Sequence, residues 1–332
     1  MSVIVLGATG NVGRHIVQAL LDGPDDIQVV AATRDVESDG AKALLASASA
    51  ASSELSLVEL DMTMPDADVL AADLAGHSVI VLNMPQALAS ADMIECQATI
   101  AEAVAEGMEQ AKEYGGVIPL VVKLSSYGID GKHSQGPLGE AHRDGEAAFK
   151  DKGIPLVSIR PTSFFSNFEA FDWPDLRVGT RQISNPLGQE ARVNWVSMRD
   201  IGKIASATIK EHLRVSQGGR HKPQHMFRVV NVVGPASNTL SAPELCRVVG
   251  QCLGSSGGSG REAVVTYQEV ALPSQPDYAG LWSFLRAGGF DVQDSEAEAE
   301  CRRLLGQPLT EFRAFVSSLV VRDMEGKQGK AK

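Results

Sequence analysis

Apolar residues fall along the chain in short continuous runs, separated by longer stretches in which they recur every three or four positions. The runs at 1–6, 27–33, 55–60, 78–82, 117–124, 154–160 and 226–233 predict strands. Continuous rather than alternating apolarity is what strands covered on both faces require. The periodic stretches at 41–50, 67–75, 92–113, 140–152 and 199–213 predict the helices between them. Such alternation implies an α/β architecture, a doubly wound parallel sheet with right-handed crossovers. After Pro161 the alternation breaks down. Residues 164–173 are rich in aromatics, 185–188 read as a turn, 217–224 as a polar loop and 254–260 as a flexible glycine/serine connection. Helical periodicity resumes at 242–253, 295–305 and 309–321, and the polar tail 324–332 is expected to be disordered.

Composition narrows the class without fixing the function. Of 332 residues, 44% are hydrophobic and 21% charged, ordinary usage for a water-soluble globular chain that can bury a large core. A net charge of −11 argues against nucleic acid as a partner, because neutralising phosphates needs a basic face. Cys96, Cys246, Cys252 and Cys301 form no C-x-x-C pair and no cluster with histidines, and read as reduced structural thiols. His133, His142, Asp144 and Glu146 match no recognised ligand spacing, so no metal is expected. The first strand starts at the first residue and no apolar run approaches a membrane span. The expectation is a cytoplasmic monomer or homodimer, without a cleaved signal and without membrane contact, acting on a small molecule.

Candidate chemistry begins at the end of the first run. Met1-Ser-Val-Ile-Val-Leu6 is followed by Gly7-Ala-Thr-Gly10-Asn-Val-Gly13, and Val12, Ile16, Val17, Leu20 and Leu21 then recur on one helix face. A strand, a glycine turn and a helix N-terminus form the arrangement that holds a dinucleotide pyrophosphate. Thr9, Asn11 and Val12 fall in the same turn. At the end of the second strand Thr33 and Arg34 take the place where an NAD site usually carries an acid. A guanidinium there suits the 2′-phosphate of NADP, whereas Asp35 keeps NAD open. Asp61 and Met62 end the third strand and would flank adenine, and Asn83, Met84 and Pro85 would lie under the middle of the cofactor. Beyond the sixth strand, Phe164, Phe165, Asn167 and Phe168 are candidates for a substrate wall suited to a flat or conjugated molecule.

These segments, with Lys123-Leu-Ser-Ser126, Ile159-Arg-Pro161, Phe165-Ser-Asn167, Trp195-Val-Ser-Met-Arg-Asp-Ile201 and Cys301-Arg-Arg-Leu-Leu-Gly-Gln-Pro308, resemble the NmrA-like group. That group is an atypical branch of the short-chain dehydrogenase/reductase superfamily, and the resemblance runs from residue 1 to about 320. It implies a Rossmann domain for NADP over 1–160 and about 198–234. It also implies a smaller, mostly helical C-terminal substrate lobe over 161–197 and 235–323.

The superfamily's Tyr-x-x-x-Lys pair is missing. Four residues after Tyr114, Tyr127, Tyr267 and Tyr278 stand Ile118, Gly131, Ala271 and Trp282. Where the resemblance places that helix, His142 and Glu146 lie one turn apart, either as substrate and proton contacts or as a surface pair. Lys123 is an odd charge in an apolar run. It either reaches a nicotinamide ribose or snorkels to solvent. Ser125 and Ser126 end that strand, and Tyr127 is a further hydroxyl donor. The resemblance thus implies an NADPH-dependent reductase of a quinone, enone or aromatic molecule, with His142, Tyr127 and Lys123 as catalytic candidates. The alternative is a non-catalytic NADP-binding sensor that regulates a protein partner.

Overall fold

The computed structural model describes residues 1–22, 26–48, 54–64, 66–85, 88–131, 135–217, 226–256 and 263–329. His133, residues 49 and 50 of the expected helix at 41–50, most of the loop at 217–224 and 257–260 of the glycine/serine connection lie outside the described residues.

The first part of the chain runs β1 (Ser2–Leu6), α1 (Gly13–Leu21), β2 (Gln28–Thr33), α2 (Asp39–Ala48), β3 (Leu55–Glu59), α3 (Ala67–Leu74), β4 (Val79–Leu82), α4 (Ser90–Tyr114), β5 (Leu120–Leu124), α5 (Pro137–Asp151) and β6 (Leu156–Pro161). Then come β7 (Ser163–Phe164), α6 (Phe165–Phe171), α7 (Trp173–Val178), β8 (Gln182–Asn185), β9 (Arg192–Val196), α8 (Met198–Gln217) and β10 (Phe227–Val232). A 3-10 turn at Ala236–Asn238, β11 (Thr239–Ser241), α9 (Ala242–Ser256), β12 (Thr266–Glu269), α10 (Pro276–Arg286), α11 (Ser295–Leu305) and α12 (Phe312–Gly329) complete the described chain.

Seven strands form one sheet in the order β10-β6-β5-β4-β1-β2-β3. Every ladder from β3 across to β6 is parallel, with Leu6 paired to Ala32 on one side and Leu82 on the other. Strand order reverses between β1 and β4, the switch point at which open α/β sheets bind ligands beyond their carboxyl ends. Four consecutive apolar residues make β4 and all are buried, as a central strand covered on both faces must be. Ile80, Leu82, Ile100, Val104, Val121 and Phe149 belong to the core between the sheet, α4 and α5. Gly145 of α5 meets α4 so closely that a Cβ there would overlap the buried Gln97 side chain. Gln97 Nε2 ties the seam by donating to Met93 O at 2.9 Å and Ala141 O at 3.1 Å.

Contacts divide the chain into two compact units, Met1–Asp130 with Pro137–Pro161 and Met198–Asn231, and Gly131–Gly136 with Thr162–Ser197 and Val232–Lys332. The first unit carries the large sheet. The second carries the small sheets β11-β9-β7 and β12-β8 with α6, α7 and α9 to α12. Its core holds Phe312 at 5.2 Å from Phe168 and 5.3 Å from Phe165, ring centre to ring centre. Helix α12 continues to Gly329.

Candidate functional site

The glycine turn between β1 and α1 is shaped by close backbone approach. Gly7 has φ +72°, and a Cβ on it would overlap Asn83 O. Likewise a Cβ on Gly13 would overlap Gly7 O, so this residue lets α1 start against the strand end. Gly10 N donates to Gly7 O at 3.1 Å, and Asn83 Nδ2 reaches the same carbonyl at 3.1 Å from the end of β4. The Arg14 N–H donates to Gly10 O at 3.1 Å. Ahead of that bond lie the N–H groups of Asn11, Val12 and Gly13, at the helix start, where donors are left for an anion. The cradle is therefore backbone, and it fits a pyrophosphate that side chains would exclude.

Neighbouring strand ends supply the flanks. Thr33 is buried, with its Oγ1 3.5 Å from Thr9 Oγ1, while Arg34 is exposed. Asp35 is turned to its own loop, where its Oδ1 accepts from Glu37 N at 2.8 Å and its carbonyl from Ser38 Oγ at 2.8 Å. Asp61 accepts from Thr63 Oγ1 at 2.6 Å and Thr63 N at 2.9 Å. The Thr63 hydroxyl is the main cause that holds the Asp61 carboxyl below the usual range, and the Arg34 charge adds to it. Met62 is buried and would meet a Cβ placed on Gly7. Asn83 is buried, and Met84 and Pro85 are partly exposed.

A second cluster lies on β5, β6 and α5. Residues two apart on a strand share a face, which aligns Lys123 with Ser125 and Ser158 with Arg160. Lys123 is registered opposite Ser158. Glu146 sits over these strands, accepting from Ser125 Oγ at 2.7 Å, Ser158 Oγ at 2.5 Å and Arg160 Nη2 at 2.5 Å. Arg160 also bonds Asp130. Burial pushes the Glu146 carboxyl up, but Arg160, Ser158 and Ser125 together hold it below its ordinary value.

Lys123 is wholly enclosed, and its Nζ lies 3.3 Å from His142 Nδ1. That corrects two expectations. Lys123 does not snorkel to solvent, and its wholly buried side chain leaves no surface for a ribose. Nor is His142–Glu146 a surface pair: Glu146 turns inward to Arg160 while the partly exposed His142 meets Lys123. Ser126 and Tyr127 are partly exposed in the loop after β5, where Tyr127 N donates to Pro161 O at 3.0 Å.

In the second unit, Phe165 and Phe168 are 1% and 0% exposed, so they belong to its aromatic core rather than to a substrate wall. Phe164 and Asn167 keep exposed surface. Arg160, Ser158 and Asp130 escaped the sequence reading. For Ser158 and Arg160 the signal was there, because polar residues at a spacing of two in adjoining apolar strands mark one buried polar face; for Asp130, exposed in the loop after β5, there was none.

The model of the NmrA-like family matches residues 1–257. The (4-alkanoyl-5-oxo-2,5-dihydrofuran-3-yl)methyl phosphate reductase of Streptomyces griseus subsp. griseus is 28% identical over 136 residues, 40% of this chain and 43% of that protein. The match thus spans less than half of the relative's length. In fold, the Escherichia coli NADPH-dependent quinone oxidoreductase complexed with NADPH gives a TM-score of 0.70 at 20% identity, covering 96% of this chain and 99% of its own. NmrA, a negative transcriptional regulator in complex with NAD, gives 0.69 at 14% identity, covering 98% and 97%.

Proposed function

The chain belongs to the NmrA-like family, and from that membership we propose that it is an NADPH-dependent reductase of a conjugated small molecule, a quinone or enone. The observation that carries the reading is the backbone cradle of Gly7, Gly10 and Gly13 at the switch point, with Thr33, Arg34, Asp61, Met62 and Asn83 at the adjoining strand ends. Thr9, Asn11, Val12, Met84, Pro85 and Ser125 extend the same edge. When bound, the reduced nicotinamide supplies a hydride.

The chain's own part is to hold and to protonate. The exposed Arg34 guanidinium meets the 2′-phosphate, while Asp35 is committed to its turn and does not replace it. His142, Ser126 and Tyr127 face the acceptor from the first unit. Reduction of a quinone or enone leaves a delocalised oxyanion, so a single neutral donor suffices where a simple ketone needs stronger acid catalysis. The Streptomyces griseus reductase and the Escherichia coli quinone oxidoreductase are named for conjugated carbonyl compounds, which supports that substrate class.

Turnover decides the reading. Purified protein should oxidise NADPH in the presence of at least one member of a panel of quinones, conjugated lactones and imines, and NADH less well. The absence of a Tyr-x-x-x-Lys pair favours a second reading, an NADP-binding sensor that acts through a protein partner. Tight NADPH binding without turnover on any acceptor supports the sensor and overturns the reductase.

A further inference from the structure

Lys123 is a full charge inside a strand that is otherwise Leu, Val, Val and Leu, and its described partner is one imidazole nitrogen at 3.3 Å. The other charges facing the pair are Glu146 from α5 and Arg160 from β6, with Asp130 beyond Arg160. Arg160 donates to both carboxylates, and Glu146 also accepts from Ser125 and Ser158. An ammonium has only hydrogens to give. With Lys123 charged, His142 Nδ1 must therefore offer its lone pair, and the ring's one hydrogen must sit on Nε2.

We infer that Lys123 is a positioning residue that locks His142 as the Nε2–H tautomer, and that His142 is the proton donor of the proposed reductase, refilled through Nδ1 by Lys123. The inference rests on the reductase reading. In the proton transfer the Nε2–H bond breaks as an O–H bond forms on the acceptor, and the Lys123 N–H bond breaks as an Nδ1–H bond forms. His142 ends neutral in the other tautomer and Lys123 ends as a neutral amine. The electrons come with the hydride of the reduced nicotinamide. Solvent then returns one proton to Nε2 while Nδ1 hands its own back to Lys123.

The electrostatics suit both roles. Burial lowers the Lys123 ammonium to about 8, with Arg160 adding to the effect and Glu146 opposing it. Burial, Lys123 and Arg160 hold His142 well below its ordinary value. Near neutral pH the pair is thus a charged lysine beside a neutral histidine, and a proton leaves this lysine far more readily than an exposed one.

The test has a part that needs no turnover. Imidazole 15N spectra of the wild-type protein should give the Nε2–H pattern for His142 near neutral pH and lose it as pH rises through about 8. A predominant Nδ1–H form or an even mixture near neutrality overturns the lock, whatever the protein's activity. With an acceptor from the panel, Lys123→Met should lower kcat about 100-fold while KM and NADPH affinity stay near wild type. Wild-type kcat should fall above about pH 8, and that limb should vanish in the variant. A wild-type profile flat through that region overturns the relay even if Lys123→Met fails to fold. A folded variant that keeps wild-type kcat does the same. A folded His142→Phe variant that keeps wild-type kcat would place the donor elsewhere. No turnover on any acceptor removes the reductase reading and the relay together, while the tautomer result stands by itself.

Discussion

A Cβ on Gly13 would overlap the Gly7 carbonyl, whereas one on Gly10 would stand 3.1 Å from Asn83 Nδ2 and 3.2 Å from Gly7 O. The first is an overlap with backbone that cannot yield; the second needs only a few tenths of an ångström from the Asn83 side chain and the Gly7 carbonyl. Gly13→Ala should therefore destabilise the protein by about 1–3 kcal/mol, read as a lowered denaturation midpoint. Gly10→Ala should melt close to wild type yet lose dinucleotide affinity, because its methyl takes the space where a pyrophosphate meets backbone. Equal binding by Gly10→Ala and wild type would remove the cradle from the ligand site. Arg34 separates the two nicotinamide cofactors. Arg34→Ala should weaken NADPH by the roughly 1.5–3 kcal/mol of a charge-assisted contact and leave NADH nearly unchanged. Calorimetric titrations with an equal loss for both would assign Arg34 no part in the choice.

Helix α5 reaches the sheet through Glu146, and its carboxylate joins β5, through Ser125, to β6, through Ser158 and Arg160. Because the folded carboxyl titrates below its ordinary value, its stabilisation is present above the unfolded pKa and is lost as pH falls through the folded one. Glu146→Gln should cost about 3–5 kcal/mol near neutral pH, since it leaves Arg160 short of a buried partner. The gap in melting temperature between variant and wild type should close below about pH 4; a constant gap down to pH 2–3, roughly, would mean that charge is not what Glu146 contributes. The large sheet was legible because strands covered on both faces are unbroken apolar runs, and those runs gave all seven. Strands β7, β8, β11 and β12 hold two to four residues, too few for any period to emerge. The glycine turn was legible for the same local reason as the strands. The polar cluster was not, since an i,i+4 pair such as His142 and Glu146 reads as mutual contact until the partners on other strands are known. Aromatic content likewise could not separate wall from core at Phe165 and Phe168.

Two compact units whose buried carboxyls, Glu146 and Asp172, are shifted in opposite directions should give the whole molecule two separable responses to pH. In the second unit Asp172 is 8% exposed. Burial raises its carboxyl to about 7, against the hydrogen bond from Asn185 and with the help of Asp175. Nearby, burial and then Asp172 push the Cys246 thiol up to about 11. Between the unfolded and folded pKa of Asp172 the folded chain binds the extra proton, so stability falls as pH rises through that window and levels off above it. With about 1.36 kcal/mol per unit, the loss from about pH 4 to about pH 8 is on the order of 4 kcal/mol. All three tryptophans, Trp173, Trp195 and Trp282, belong to the second unit, so their fluorescence reports its unfolding and not that of the sheet unit. The fluorescence melting midpoint should therefore drop between about pH 5 and about pH 8, and Asp172→Asn, which keeps the shape and cannot ionise, should abolish most of that drop. NADPH, if it binds the cradle of the first unit, should leave the pH dependence of the tryptophan signal in place. A wild-type midpoint that holds or rises over the same interval would show that Asp172 is already ionised in the folded chain.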